Sequence, residues 1–189
     1  MIIDLTIIIV NYRSWGKLKN CIKSIQNQSH INTQIIVVDN FSNDNKFKHF
    51  QNEYKQINWI ENKNNLGFAK ACNIGALKAE SKWLLFLNPD TILEKNSLSS
   101  LIKYSISNKE HRLIGIKQLD QNGSNTNAYG LFLNIWTSRV FHQTYATSFQ
   151  NDRAHGFWFN RTIFWARKIH GEPPASLFGE KTSLVSLSA

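Results

Sequence analysis

The chain has 189 residues, 42% of them hydrophobic, and its 22 Lys and Arg against 13 Asp and Glu give a formal charge of +9. That length supports one domain with a substantial core and is short for two, while the excess of cations favours phosphate-bearing partners: nucleic acids, anionic membrane surfaces or nucleoside-diphosphate substrates. The apolar runs Leu5–Val10, Ile35–Val38 and Trp83–Leu87 fall far short of the roughly 20 residues that a membrane-spanning helix needs. Asp4 precedes the first run and no small-residue cleavage pattern follows it, so a signal peptide is not expected and the chain is expected in the cytoplasm.

Leu5-Thr-Ile-Ile-Ile-Val10 is a continuous β-branched run, which suits a strand covered on both faces of a parallel sheet. Ser14 stands as N-cap to a helix whose Leu18, Cys21, Ile22 and Ile25 recur at helical spacing. Ile35–Val38 repeats the strand pattern and ends in Asp39-Asn40, and Phe47, Phe50 and Tyr54 give the next segment a helical stripe. Ile57–Ile60 predicts a third strand. Asn64-Asn-Leu-Gly67 reads as a turn, and the small residues between Phe68 and Ala79 predict a helix packed closely on a sheet. Trp83–Leu87 is the next buried strand, and Leu98, Leu101, Ile102 and Ile106 mark another helix. This alternation predicts an α/β fold, a doubly wound and mainly parallel sheet with helices on both faces.

Beyond about residue 110 the pattern weakens, although Leu113–Ile116 and Asp120-Gln-Asn-Gly123 still predict a strand and a tight turn. Aromatic residues crowd the chain from Tyr129 to Trp165, where they would cover a core edge or line an acceptor groove. The segment from Pro173 to Ala189 is Ser-rich and without a period, so it is expected to be weakly structured. The chain therefore divides into 1–120, 121–172 and 173–189 within one domain. Cys21 and Cys72 lack any ligand or redox spacing and read as small buried hydrophobes, and the six histidines show no catalytic spacing.

In open α/β sheets ligands bind beyond the carboxyl ends of the strands. The polar clusters Asn11-Tyr12-Arg13, Asp39-Asn40, Asn64-Asn65 and Asn88-Pro89-Asp90 should therefore meet on one rim. Neither GxGxxG nor GxxxxGK[ST] occurs, which speaks against a dinucleotide dehydrogenase or a P-loop ATPase, so a diphosphate would need another counter-charge. Asp90 could supply it by ligating Mg or Mn, with Pro89 holding an extended backbone between Asn88 and Asp90; the alternative is a plain turn with Asp90 capping the next helix. Asp39 either accepts from a nucleobase or ribose or forms an Asx-turn with residues 40–42. Asn65, Gly67 and Phe68 either bring backbone close to a ligand or form an ordinary strand-to-helix turn.

Four segments in order, Ile7-Ile-Ile-Val-Asn-Tyr12, Ile35-Ile-Val-Val-Asp-Asn-Phe-Ser42, Asn65-Leu-Gly-Phe-Ala-Lys-Ala-Cys-Asn73 and Leu85-Phe-Leu-Asn-Pro-Asp90, resemble the N-terminal half of a family-2 glycosyltransferase of the GT-A type fold. With Ile114–Gly130 the likeness covers about the first two-thirds of the chain. It implies that Asn11 and Tyr12 line a nucleotide pocket, that Asp39 binds the base, and that Asn65, Gly67 and Phe68 border the nucleotide. Asn-Pro-Asp stands where the family has its metal-binding acidic motif, so Asp90 is the implied ligand of a Mg or Mn ion and Asn88 lies beside the diphosphate. The activity implied is transfer of a sugar from a nucleoside-diphosphate donor, a UDP or dTDP sugar, to an acceptor hydroxyl with inversion, in cell-surface polysaccharide synthesis. The acceptor would be a saccharide or a lipid-linked one, and the basic face could approach the inner face of a membrane.

The family places its general base in an acidic pair well after the metal Asp, and after Asp120 this chain has only Asp152, Glu172 and Glu180 as carboxylates. Phe178–Leu184 resembles the base segment with Lys181 in place of an acid, which nominates Glu180. Alternatively Ala175–Phe178 matches an earlier strand, and the base and closing helices are missing, as in a truncated gene. The competing function is then a nucleotide-binding remnant that does not transfer. An RNA-binding module ranks last, because the cations are dispersed and no RRM or KH signature occurs, so no nucleic-acid partner is expected.

Overall fold

A strand whose apolar residues run unbroken must be covered on both faces, and the first strand shows how. The computed structural model describes residues 3–108, 113–116, 119, 164–167 and 186–187. In β1 (Leu5–Asn11) every residue is buried. Leu5, Ile7 and Ile9 enter one core cluster, while Ile8 and Val10 enter another on the opposite face. The same period-two split divides Ile35 and Val37 from Ile36 and Val38 in β2 (Thr33–Asp39), and Leu85 and Leu87 from Leu84 and Phe86 in β4 (Trp83–Leu87). Each fully buried aliphatic side chain contributes about 1.5–3 kcal/mol relative to exposure, so this central trio carries much of the hydrophobic stabilisation.

β1 pairs in parallel with both β2 and β4, and β2 pairs in parallel with β3 (Asn58–Glu61). The helices α1 (Trp15–Gln26), α2 (Lys46–Glu53) and α4 (Ser97–Ser107) contribute Leu18, Ile22, Phe50, Leu98 and Leu101 to the first cluster. Helix α3 (Phe68–Leu77) contributes Ala71, Cys72 and Ala76 to the second, so helices cover both faces. The sheet continues through β5 (Leu113–Ile116), β6 (Phe164–Arg167) and β7 (Ser186–Leu187) in the order β3-β2-β1-β4-β6-β5-β7. β6 runs antiparallel to β4 and β5, which makes the sheet mainly parallel with one reversed strand.

Three expectations change. Phe164 and Trp165 belong to a sheet strand, and Ser186-Leu187 pair in parallel with β5, so this part of the tail is tied to the sheet although it has no readable period. Ile106 is 58% exposed, because Ser105 continues the buried face of α4 and the helix ends one residue later. Ser14 occupies the N-cap position of α1, but its hydroxyl donates to the Tyr12 carbonyl rather than accepting from the helix. The turn at 120–123, the aromatic residues from Tyr129 to Phe159 and most of 173–189 lie outside the described residues.

Helix α3 approaches the sheet so closely that a Cβ built on Gly75 would stand 2.5 Å from Ile8 Cγ2 and 3.3 Å from Val38 Cγ2. Both are stiff β-branched side chains on central strands and cannot rotate away. Gly75→Ala is expected to lower stability by about 1–3 kcal/mol through overpacking, read as a lower urea midpoint.

Candidate functional site

The parallel registers align the last residues of the first three strands, because Asn11 stands opposite Asp39 and Asp39 opposite Glu61. Asp39 is 1% exposed, and a carboxylate buried so deeply must find donors. Its Oδ1 accepts from Asn11 Nδ2 at 2.8 Å and from the Ser42 hydroxyl, and its Oδ2 accepts from the Ser42 backbone N–H at 2.8 Å. The Asx-turn reading of Asp39 therefore describes what the side chain does within the fold. Of the roughly four lone-pair sites of a carboxylate, three are taken by Asn11 and Ser42, and one on Oδ2 has no partner among the described residues.

Asn11 is buried and works in both directions, since its Oδ1 also accepts from the Ser14 N–H at 3.2 Å. Tyr12 turns outward, 46% exposed, with the Arg13 guanidinium 5.4 Å from its ring centre. Arg13 has φ 53° and donates its backbone N–H to the Ser42 hydroxyl at 2.8 Å and its Nε to the Ser42 carbonyl at 3.1 Å.

A second set of amides joins the third cluster to the first two. Asn40 Nδ2 donates to Asn65 Oδ1 at 2.8 Å, while Asn40 Oδ1 accepts from Asn62 Nδ2 at 3.1 Å and from the Leu66 N–H at 3.0 Å. Asn65 Oδ1 also accepts from the Gly67 N–H at 3.0 Å, and Gly67, at φ 81°, caps α3 in a conformation that L side chains rarely adopt. Phe68 is half-buried against the α3-side core. The segment is a strand-to-helix turn, and the turn presents exposed Asn65 and Gly67 on the rim.

The fourth cluster corrects an expectation. The Thr91 N–H donates to the Asn88 carbonyl at 3.1 Å, so Asn88–Thr91 is a turn and not an extended segment; the fixed φ of Pro89 suits the second position of a turn as well as a strand. Asp90 does not cap a helix, because α4 starts at Ser97 behind Asn96. It is left exposed on the rim, where Lys17 Nζ lies 3.8 Å from its Oδ2. Glu180 lies outside the described residues.

Among the described residues no group of three or more His, Cys, Asp or Glu could hold a metal ion. One accessible carboxylate with a neighbouring amide is a donor set that fits Mg or Mn carried in by a diphosphate, since such ions keep waters and phosphate oxygens as ligands and need only one or two carboxylates. A small hollow lies beside the Asp39 end of the rim, lined by Asp39, Asn43, Asp44, Phe47, Lys48 and Glu61. Asn40 is legible in the sequence as a rim residue and Ser42 only through the turn over residues 40–42, whereas Asn62 is passed over by sequence reasoning; the Ser three positions after Asp39 is the spacing at which a short polar side chain closes a turn on itself.

Burial pushes the thiols of both Cys21 and Cys72 up to about 12, aided at Cys21 by the nearby Asp90 carboxylate. Because the thiolate is the reactive form, neither cysteine should react with a thiol reagent in the native chain at pH 8, and both should react in urea. Asp39→Ala strands the Ser42 and Asn11 donors in the interior, and a loss of about 3 kcal/mol in the unfolding free energy is expected.

The fold recurs in known proteins. The family model for glycosyl transferase family 2 matches residues 6–168. An uncharacterized glycosyltransferase of Haemophilus influenzae is 28% identical over 113 residues, covering 58% of this chain and 35% of that protein. The chain spans about a third of the length of such relatives. Among solved structures, S. aureus TarS 1–349 in complex with UDP-GlcNAc superposes with a TM-score of 0.56 at 20% identity over 69% of this chain and 37% of that one. The mannosyltransferase PcManGT of Pyrobaculum calidifontis, in complex with GDP-Man and Mn2+, gives 0.55 at 16% identity over 62% of this chain and 36% of that one. With the family model covering most of its length and the fold shared, the chain belongs to glycosyl transferase family 2.

Proposed function

We propose that the chain binds a nucleoside-diphosphate sugar along this rim and transfers the sugar, with inversion, to an acceptor hydroxyl. The observation that carries the reading is the meeting of two hydrogen-bonded side-chain sets, Asn11 with Asp39 and Asn40 with Asn65, joined by the backbone bonds Asn40 N–H to Asn11 carbonyl and Asn62 N–H to Asp39 carbonyl, with exposed Asp90 on the same rim. The base would stack near Tyr12 and take the open lone pair of Asp39 Oδ2, with Asn65, Gly67 and Phe68 bordering the nucleotide. Asn88 and Asp90 would face the diphosphate and hold a Mg or Mn ion. Bound there, the ion supplies electrostatic stabilisation of charge on the departing diphosphate. Complexes of the structural relatives with UDP-GlcNAc and with GDP-Man and Mn2+ support a nucleotide-sugar donor and a divalent ion.

The proton of the acceptor hydroxyl needs a carboxylate within hydrogen-bond reach, and Glu180 is the nominee. The acceptor would be a saccharide or a lipid-linked one in cell-surface polysaccharide synthesis. No helix among the described residues is long and apolar enough to cross a membrane. The net positive charge would favour a cytoplasmic position with peripheral contact at the inner membrane face. A binding-only protein is the second reading, favoured by the scarcity of carboxylates after Asp120.

Asp90→Ala is expected to remove the manganese-dependent part of UDP or dTDP affinity in calorimetric titration and to leave the unfolding midpoint within error of the parent. Unchanged manganese dependence would sink the site. Donor hydrolysis by the unaltered chain would support the transferase, whereas binding without turnover would favour the second reading.

A further inference from the structure

The loop that carries Asp90 runs from Asn88 to Asn96, between β4 and α4, and much of its hydrogen bonding is to the segment that runs from α1 to Gln28. Lys17, Cys21 and Ser24 of α1, at spacings of four and three on a single helical face, and Gln28 just past the end of the helix meet that loop in succession. Lys17 Nζ is 3.8 Å from Asp90 Oδ2. The buried Cys21 thiol donates to the Asn88 carbonyl at 3.7 Å. The Ser24 hydroxyl, itself donating to the Cys21 carbonyl at 2.7 Å, accepts the Leu93 N–H at 3.1 Å. Gln28 closes the series: its Nε2 donates to the Glu94 carbonyl at 2.8 Å and its Oε1 accepts the Leu98 N–H at 3.3 Å.

We infer that this stripe is a positioning element, in which Ser24 and Gln28 fix the path of the loop and thereby the place of Asp90 on the rim. The inference rests on the reading of Asp90 as the cation ligand of a nucleotide site. Two features favour positioning over general stability. Polar side chains on the buried face of an amphipathic helix are costly unless partnered, and Ser24 finds a partner in this loop. Backbone groups of the loop are also taken one after another by Cys21 and Ser24 of α1 and by Gln28 beyond it, so displacing one contact lets the turn at Asn88–Thr91 shift without unfolding the sheet.

Ser24→Thr and Ser24→Val test it, since they share a shape and differ in the hydroxyl alone. The Val variant is expected to show faster amide exchange over residues 88–98 and an affinity for UDP with Mn2+ about tenfold lower, the worth of one lost hydrogen bond. Its manganese-free affinity should stay unchanged, and the Thr variant should match the parent on every readout. Gln28→Leu, at a less buried position, should repeat the Val result if Ser24→Val folds poorly. Equal behaviour of the Val, Thr and Leu variants, with Asp90→Ala still abolishing the manganese effect, would overturn the inference and leave the site reading standing. Absence of any manganese effect on UDP binding by the unaltered chain would sink both.

Discussion

The rim depends on one buried carboxylate. Asp39 sits at the end of a central strand with almost no contact with water, so its charge must be matched by donors, and the sequence supplies them from two directions: Asn11 across the ladder and Ser42 three residues on. Removing a carboxylate from water without such partners would cost several kcal/mol, so the loop after β2 is held to the one path that offers them. That path in turn places Arg13 and the rim end of α1, because Ser42 also receives the Arg13 N–H and Nε. Local geometry at two adjacent strand ends, those of β1 and β2, thus follows from the solvation of a single group.

Much of this was readable from residue order. Unbroken Val, Ile and Leu runs mark strands covered on both faces, and their alternation with helical stripes leaves few topologies. The third strand was placed within one residue although its pattern is weak, because Trp59 and Ile60 are the apolar pair in a polar stretch. What could not be read depended on distance in sequence. Ile106 has the spacing of a core residue, but whether a helix's last turn still faces a sheet depends on where the helix ends. Ser186-Leu187 form a strand only because β5 offers a free edge, and two residues carry no period.

The candidate site shows the same division. Three of the four polar clusters carry an alternative reading as a turn, and at Asp39, Asn65 and Asn88 the turn is what the residue forms. The turn and functional readings therefore do not compete: a turn at a strand end is how a chain without a Gly-rich phosphate loop presents side chains on a rim. Pro89 illustrates the limit of single-residue logic. Its fixed φ is compatible with extended and turn geometry alike, and the choice is made by the carbonyl of Asn88, which accepts from both Thr91 and Cys21.

The two ends of the rim consequently differ in stiffness. On the Asp39 side the bonds are short, buried and charge-assisted, each worth about 1.5–3 kcal/mol against loss. On the Asp90 side the carboxylate is exposed and its ion pair with Lys17, at 3.8 Å, belongs to a class worth about 0–1 kcal/mol. A ligand that engages both ends meets a preorganised surface at one and a movable group at the other. Binding energy gained on the rigid side is then available to draw Asp90 away from Lys17, so the order imposed by α1 on the connecting loop decides how much of that energy is spent on arrangement rather than retained as affinity.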